Sequence, residues 1–447
     1  MEQKKLVVLG AGESGVGAAV LGLDKGFDVF VSDYGTISPE HKAELDREGI
    51  EWEEGGHTMD RILAADIIVK SPGIAKETPV MRAVAEKGIE VVSEIEFAGR
   101  YTTSKMICIT GSNGKTTTTM LTHYILRQAG IDAGLAGNVG FSLARQVARD
   151  PKPVYVIELS SFQLDNMYSF RANIAVLLNI TPDHLDRYEH CFDKYADAKL
   201  RILQNQTPDD AFIYWTGDPV IARKLPDARV GATLYPFNEH KAKGLAAFVN
   251  AKDELEVHTP GESFTIARNE LSLKGLHNLY DSMAASLAAA LAGVPAATIC
   301  SALRTFAPVE HRLEPVRTLD GVAYINDSKA TNVDSTFYAL QAMTTPVVLI
   351  LGGKDKGNDY SPIVPLVKEK VRAIVAMGLH NEKIVDVFSP VVPVVSTDNL
   401  ADAIRECRAA AQPGDTVLLS PCCASFDLFT SYIDRGRRFK DAVMALS

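Results

Sequence analysis

One stretch limits what this chain can fold into more than any other: Thr110-Gly111-Ser112-Asn113-Gly114-Lys115-Thr116-Thr117. The apolar run Met106-Ile107-Cys108-Ile109 before it reads as a buried strand. After it, Leu121, Tyr124, Ile125 and Gln128 recur at helical spacing until Gly130 supplies a stop. A strand, a glycine-rich turn and a helix make a phosphate cradle. Backbone N–H groups and the positive helix end face the anion, Lys115 adds a point charge, and the Thr116 hydroxyl can hold Mg²⁺. The longer phosphate-loop pattern has a further glycine where this chain has Ile109, so the motif is the shorter Gly111-x-x-Gly114-Lys115-Thr116. It predicts a nucleotide site.

A chain of 447 residues is long enough for about three domains, each with its own core. With 46% hydrophobic and 23% charged residues, the composition is that of a globular protein rather than a disordered one. The net charge of −10 argues against nucleic acid, whose phosphates need a basic face. No run approaches a membrane span, and the four-residue apolar run after Lys5 is too short for a signal-peptide core. Cys108, Cys191, Cys300, Cys407, Cys422 and Cys423 show no paired metal spacing. They fall in strand- or helix-like segments, so buried free thiols in a reducing cytoplasm are expected.

From the amino terminus, the strand Leu6–Leu9 leads into Gly10-Ala11-Gly12-Glu13-Ser14-Gly15, a G-x-G-x-x-G turn. Asp33 ends the next strand, 18 residues past Gly15, where a dinucleotide fold places its ribose ligand. Taken alone this says NAD, although the same turn holds any pyrophosphate. A third strand, Asp66–Lys70, runs into Ser71-Pro72-Gly73 at the carboxyl edge, where open α/β sheets bind ligands. In the middle of the chain strands and helices alternate as in a doubly wound sheet. Val154–Ile157 ends in Glu158, and Ile174–Leu178 precedes Thr181-Pro182-Asp183-His184. A carboxylate and an imidazole past strand ends, on the edge where the phosphate loop opens, suit a metal ligand or a base. Residues 209–273 read as smaller strands and loops decorating the sheet edge, and Gly275-Leu276-His277-Asn278 opens an alanine-rich helix (Ser282 to Ala292). Beyond Pro308 a third α/β region follows, with the strands Val347–Leu351, Ala373–Met377 and Thr416–Ser420 and a last helix holding Ile433–Arg438. The predicted domains are 1–98, 99–307 and 308–447, the outer two Rossmann-like and the central one a phosphate-loop ATPase.

Five motifs in order carry a family resemblance: Ser71-Pro72-Gly73-Ile74, the phosphate loop, His311-Arg312-Leu313-Glu314, Asn326-Asp327-Ser328-Lys329-Ala330-Thr331-Asn332, and Ser420-Pro421-Cys422-Cys423-Ala424-Ser425-Phe426-Asp427. Over essentially its whole length the chain resembles the Mur ligases, ATP-dependent amide ligases of peptidoglycan precursor synthesis. Within that family it is similar to the branch that joins D-glutamate to UDP-N-acetylmuramoyl-L-alanine. The resemblance replaces NAD at the first glycine turn by the uridine diphosphate of that substrate, near Ser14, Asp33, Ser71, Pro72 and Gly73. It implies transfer of the ATP γ-phosphoryl to a carboxylate, giving an acyl phosphate that the amine of D-glutamate attacks.

The resemblance also assigns residues. Gly111, Ser112, Asn113, Gly114, Lys115, Thr116 and Thr117 would hold the ATP phosphates, with Thr116 and Glu158 on one Mg²⁺. His184 and Lys199 would ligate a second Mg²⁺. Asn138 matches a substrate contact, and Asn278 an adenine contact. His311, Arg312, Asp327 and Lys329 would meet ATP or the tetrahedral intermediate. Thr331, Lys356, Ser425 and Tyr432 would contact the D-glutamate carboxylates. Asp281 stands where relatives commonly carry asparagine, and a carboxylate cannot donate there. Tyr432 replaces a common phenylalanine.

Lys199 lies within a stripe of Phe192, Tyr195, Ile202 and Leu203 between His190 and Gln204. A lysine buried there is more readily neutral and able to add CO₂. The resemblance points to that carbamate as the Mg²⁺ ligand. The expected protein is a cytoplasmic monomer with no membrane or nucleic-acid partner. The readings it competes with are another Mur-type or folyl-polyglutamate ligase, a noncatalytic nucleotide-binding regulator and a dehydrogenase.

Overall fold

The computed structural model describes residues 3–307 and 310–446; the boundary expected at Pro308 lies outside the described residues. Three sheets carry the chain. The first, in the order β3-β2-β1-β4-β5, is all parallel: β1 (Lys5–Leu9), β2 (Asp28–Asp33), β3 (Glu51–Glu54), β4 (Ile67–Lys70) and β5 (Glu90–Val92). Leu6, Val8, Leu9, Val31 and Ile68 are inaccessible or nearly so, as near-continuous apolar strands covered on both faces must be.

The second sheet has nine strands in the order β14-β13-β12-β11-β10-β9-β6-β8-β7. Its parallel centre is β6 (Lys105–Thr110), β7 (Ala133–Gly137), β8 (Val154–Glu158) and β9 (Ile174–Leu177). The stretch expected to decorate its edge is part of the sheet itself. β10 (Ala211–Trp215), β11 (Thr233–His240) and β12 (Ala247–Val249) continue it in parallel, and β13 (Glu254–His258) with β14 (Ser263–Ala267) close it as an antiparallel hairpin. The alanine-rich helix opens within Gly275–Asn278 as expected, at Leu276, and ends at Leu291, so His277, Asn278 and Asp281 are helical. Gly275, in the left-handed region at φ 89°, precedes it.

The third sheet runs β15-β16-β20-β17-β18-β19. β15 (Glu314–Leu319) is antiparallel to β16 (Val322–Asn326). β17 (Val347–Gly352), β18 (Val371–Met377), β19 (Val394–Thr397) and β20 (Thr416–Cys422) are parallel, and β15, β16 and β19 were not read from the sequence. Three α/β domains thus follow one another along the chain. By packing they form two compact units: the described residues within 1–180, 187–272 and 278–306, and those within 181–186, 273–277 and 307–447. Segment 181–186 therefore packs with the third sheet although it follows β9 in sequence.

All six cysteines are free thiols, but only Cys108, Cys407, Cys422 and Cys423 are buried. Cys191 and Cys300 are half-buried, and Cys191 precedes the helix Phe192–Leu200 instead of lying within an element. Among the described residues no helix is long and apolar enough to cross a membrane.

Candidate active site

The helix Lys115–Gln128 starts at Gly114, in the left-handed conformation at φ 81°, with no side-chain cap on its first amides. A β-carbon at position 114 would lie 2.3 Å from Asp281 Oδ1, so the turn needs glycine both for conformation and for space. Asn179, at the end of the neighbouring strand, clamps the loop. Its carbonyl accepts from Ser112 N (2.9 Å), its Oδ1 accepts from Asn113 N (2.8 Å) and its Nδ2 donates to Asn113 O (3.1 Å). Two lysines meet on one loop carbonyl: Lys115 Nζ donates to Gly111 O at 2.8 Å and to Ser112 O at 2.8 Å, and Lys199 Nζ donates to Gly111 O at 2.7 Å.

Lys199 is buried, with its ammonium 4.8 Å from the centre of the Tyr195 ring, whose hydroxyl lies 3.0 Å from Ser112 Oγ. The apolar stripe expected around it is split. The helix ends at Leu200, and Ile202 and Leu203 lie in a following 3₁₀ turn. Tyr195 and Asn179 carry no motif signal; their roles exist only once the chain has folded.

Glu158 is 1% exposed. Its Oε1 accepts from Asn138 Nδ2 at 2.8 Å, while Oε2 has no hydrogen-bond partner. An ionised carboxylate oxygen buried without a donor is costly unless a cation meets it. Thr116, also buried, opens the phosphate-loop helix. One carboxylate, one hydroxyl and substrate phosphates are the donor set Mg²⁺ takes, rather than an all-protein cage. Among the described residues no group of three or more His, Cys, Asp or Glu could hold a metal by itself. Asn138, expected at the substrate, thus also orients Glu158.

The first glycine turn is built differently. The helix Glu13–Asp24 also lacks a side-chain cap, at Gly12. Asp33 braces the turn: Oδ2 accepts from Ala11 N at 2.6 Å and Oδ1 from Gly35 N at 2.8 Å. Ser71, Pro72 and Gly73 form the facing loop, and two cations missed in the sequence hold its carbonyls. Lys70 Nζ donates to Ser71 O (3.1 Å) and Ile74 O (2.9 Å), and Arg187 donates to Pro72 O, Gly73 O and Ile74 O, each at 3.3 Å. Burial, reinforced by Arg187 and Lys76, pushes the Lys70 ammonium down to about 8. Ser14, on the first turn of the helix, is half-buried.

The second unit gathers most of the remaining expected residues. Asp327 ends the β16 segment, buried, with Oδ2 accepting from Ser420 Oγ (2.9 Å) and Oδ1 from Leu313 N (3.2 Å). Burial pushes its carboxyl up to about 7 against the pull of Arg312 and of these bonds. His311 is buried with φ 64°, and Asn326 Nδ2 lies 2.9 Å from its Nδ1. Nδ1 therefore accepts, and the Nε2–H, which has no partner, is a donor held ready. Burial also lowers the His311 pKa, which keeps the ring neutral. Lys329 lies over the Tyr432 ring at 5.3 Å, and the His311 ring meets the same ring edge-on at 6.4 Å. Ser425 is buried at the end of the segment after β20, and Thr331 is half-buried in the turn before the helix Val333–Ala342. Lys356 Nζ is 2.7 Å from Asp183 Oδ1. His184, half-exposed and at φ 52°, belongs to this unit, whereas Lys199, Glu158 and Asn278 belong to the first.

Three family models cover the chain in the same order as its sheets: the Mur ligase MurD-like N-terminal domain over residues 4–93, the Mur ligase middle domain over 109–289, and the Mur ligase glutamate ligase domain over 311–423. Among curated relatives, a UDP-N-acetylmuramoylalanine–D-glutamate ligase from Bacteroides fragilis is 57% identical over 99% of this chain and 100% of its own. Another of that name, from Porphyromonas gingivalis, is 55% identical over 99% and 98%. The crystal structure of the UDP-N-acetylmuramate-alanine ligase of Thermotoga maritima shares the fold, with a TM-score of 0.62 at 17% identity over 99% of each chain. Motifs, domain order and full-length identity agree, and the chain belongs to the Mur ligase family.

Proposed function

We propose that this protein is an ATP-dependent ligase that adds D-glutamate to UDP-N-acetylmuramoyl-L-alanine in peptidoglycan precursor synthesis, acting as a monomer in the cytoplasm. The observation that carries the substrate choice is the 57% identity, over the full length of both chains, to a relative named for that reaction. The charge arrangement supports it. A carboxylate reacts with an amine only after its oxygen becomes a leaving group, so two anions, the γ-phosphate and the substrate carboxylate, must be brought together.

In this reading Lys115 and the amides of Gly111–Thr117 bind the phosphates, with Asn278 near the adenine. Thr116 and Glu158 would hold one Mg²⁺, with Asn138 bonded to Glu158 Oε1 and Oε2 left for the ion. His184 and a carbamate on Lys199 would hold a second. Bound Mg²⁺ supplies the positive charge that offsets repulsion between the two anions. Asp33, Ser14 and the Ser71–Gly73 loop place the uridine diphosphate. His311 donates through Nε2, and Arg312, Asp327 and Lys329 orient the phosphate and the reacting carboxylate. Thr331, Lys356, Ser425 and Tyr432 receive the two carboxylates of D-glutamate. The test is phosphate release with UDP-N-acetylmuramoyl-L-alanine and a panel of amino acids. Turnover should need both that substrate and D-glutamate, with L-glutamate and D-alanine inactive; equal turnover with another amino acid would overturn the assignment.

A further inference from the structure

The lysine assigned to a substrate carboxylate already holds a carboxylate of the protein. Lys356 Nζ and Asp183 Oδ1 are 2.7 Å apart, with side chains 17% and 10% exposed. Asp183 is fixed from two further sides. Its Oδ1 accepts from the His184 amide at 2.9 Å, and its Oδ2 accepts from Asn332 Nδ2 at 3.3 Å. Asn332 is itself fixed, because its Oδ1 caps the helix Val333–Ala342 through Ser335 N at 2.9 Å. The pair lines a cavity of about 540 Å³ whose other walls include Pro182, Leu185, Val333 and Phe337. In such surroundings an ion pair is little screened, and removing one partner leaves the other charge uncompensated. A ligand bearing only carboxylates takes Lys356 only by depriving Asp183 of that cation, leaving it the His184 ring, 3.6 Å from Oδ2, and its bonds to the His184 amide and Asn332. An α-amino acid carries both charges a few ångströms apart and can satisfy both ions at once.

We propose that Asp183 is the ammonium-binding residue for the incoming amino acid, and that binding is an exchange of ion pairs. The α-carboxylate replaces Asp183 on Lys356, while the α-ammonium takes the Asp183 carboxylate. This rests on the D-glutamate reading given above. The exchange selects for an amino group next to a carboxylate and holds its nitrogen at a fixed acceptor as the ammonium, which must lose a proton before it can attack. It gives Asp183 a positioning role on the substrate rather than on the protein alone.

The experiment is steady-state kinetics on the full chain with D-glutamate as substrate and glutarate, the same dicarboxylate without the amine, as competitor. Asp183→Asn should move the two in opposite directions. KM for D-glutamate rises roughly tenfold or more as the ammonium loses a charge-assisted bond, and Ki for glutarate falls roughly tenfold as Lys356 loses its internal competitor. Lys356→Gln should weaken both. Loss of packing alone would weaken both in Asp183→Asn as well, so a parallel change overturns the proposal. Should that variant fail to fold, the wild type still decides: glutarate must bind at least about tenfold more weakly than D-glutamate, and equal affinity overturns the exchange. A wild type that turns over another amino acid but not D-glutamate would overturn the substrate reading instead.

Discussion

The two glycine turns of the first unit look alike in sequence and do different electrostatic work. Both follow a buried parallel strand, and both open a helix whose N-cap is a glycine with no side-chain bond. Elsewhere in the unit some helices are capped by side chains, as by Ser38, Ser93, Ser142, Ser160 and Asp218, while those after Thr58, Thr78 and Cys191 are not, so the two turns stand apart by the glycine at the cap together with the missing bond. A capped terminus spends its amides on the protein, and an uncapped one offers them to an anion. At Gly111–Gly114 two ammonium groups converge on one carbonyl, which suits a phosphate that is to be transferred. At Gly10–Gly15 the turn is braced by the anion Asp33, and its nearby cations hold the facing loop instead. That suits a diphosphate that is only to be held. The turn announces an anion; the charges around it set what happens to that anion.

Lys115→Ala should break the comparison hardest. Turnover should fall at least about 10³-fold, as expected for loss of a phosphate-binding cation, while calorimetry shows UDP-substrate affinity unchanged. Loss of both would mean that the two turns do not serve separate ligands. Lys199→Ala should follow, with turnover down by roughly 10²- to 10³-fold and partial recovery on adding short carboxylic acids that replace a carbamate. Full activity without rescue would remove the carbamate. Asp33→Ala should be milder: the Ala11 and Gly35 amides lose their acceptor at a cost of about 1–2 kcal/mol. KM for the UDP-substrate should then rise several-fold and that for ATP stay put.

Glu94→Gln should be the subtlest. Burial pushes this carboxyl up to about 7, although its Oε1 accepts from Ser142 Oγ and Ala144 N, each at 2.6 Å. The folded state therefore binds a proton more tightly than the unfolded chain. The stability this contributes is present below about 4.5 and is lost as pH rises through about 7. Chemical denaturation from pH 5 to 8 should show the wild type losing up to about 3 kcal/mol relative to Glu94→Gln, while the phosphate-loop chemistry is unaffected. Parallel pH curves would show that Glu94 ionises as freely as an exposed carboxylate.

What the sequence made legible was local. The phosphate loop, the first turn and Glu158 each sit within a few residues of the strand end that presents them, so spacing brings them out; Asp183 and His184 follow β9 in sequence but pack with the third sheet. The rest depends on partners far along the chain. Lys356 meets Asp183 across 173 residues, and Asn179 clamps the phosphate loop across 66, with no pattern linking either pair. The strands from β10 to β14 read as edge decoration because nothing in their pattern shows that they pair onward from β9, although β11, at eight residues, is twice as long as β9 at four. The opening of the alanine-rich helix near Leu276 was legible, whereas the burial of its polar Asn278 and Asp281 was not. Of the six thiols, those in sheet interiors followed the pattern, while Cys191, just outside a helix, did not.

The contact between the first sheet and the helix Leu143–Arg149 bears on how this protein can be taken apart. Glu94 has its donors on that helix, Arg145 pairs with Glu13 at 3.1 Å, and Arg149 pairs with Glu48 at 2.5 Å. Gly17 lies so close that a β-carbon there would stand 2.0 Å from Ser142 Oγ. A fragment cut after residue 98 would lack the acceptors and donors for these groups and expose the apolar, glycine-notched face of its first helix. Such a piece should express as an aggregating chain. A folded piece that carries the first sheet has to keep the chain at least through Arg149, and with it the phosphate loop. The third sheet is no simpler to detach, because segments 181–186 and 273–277, drawn from the middle of the chain, pack in its unit.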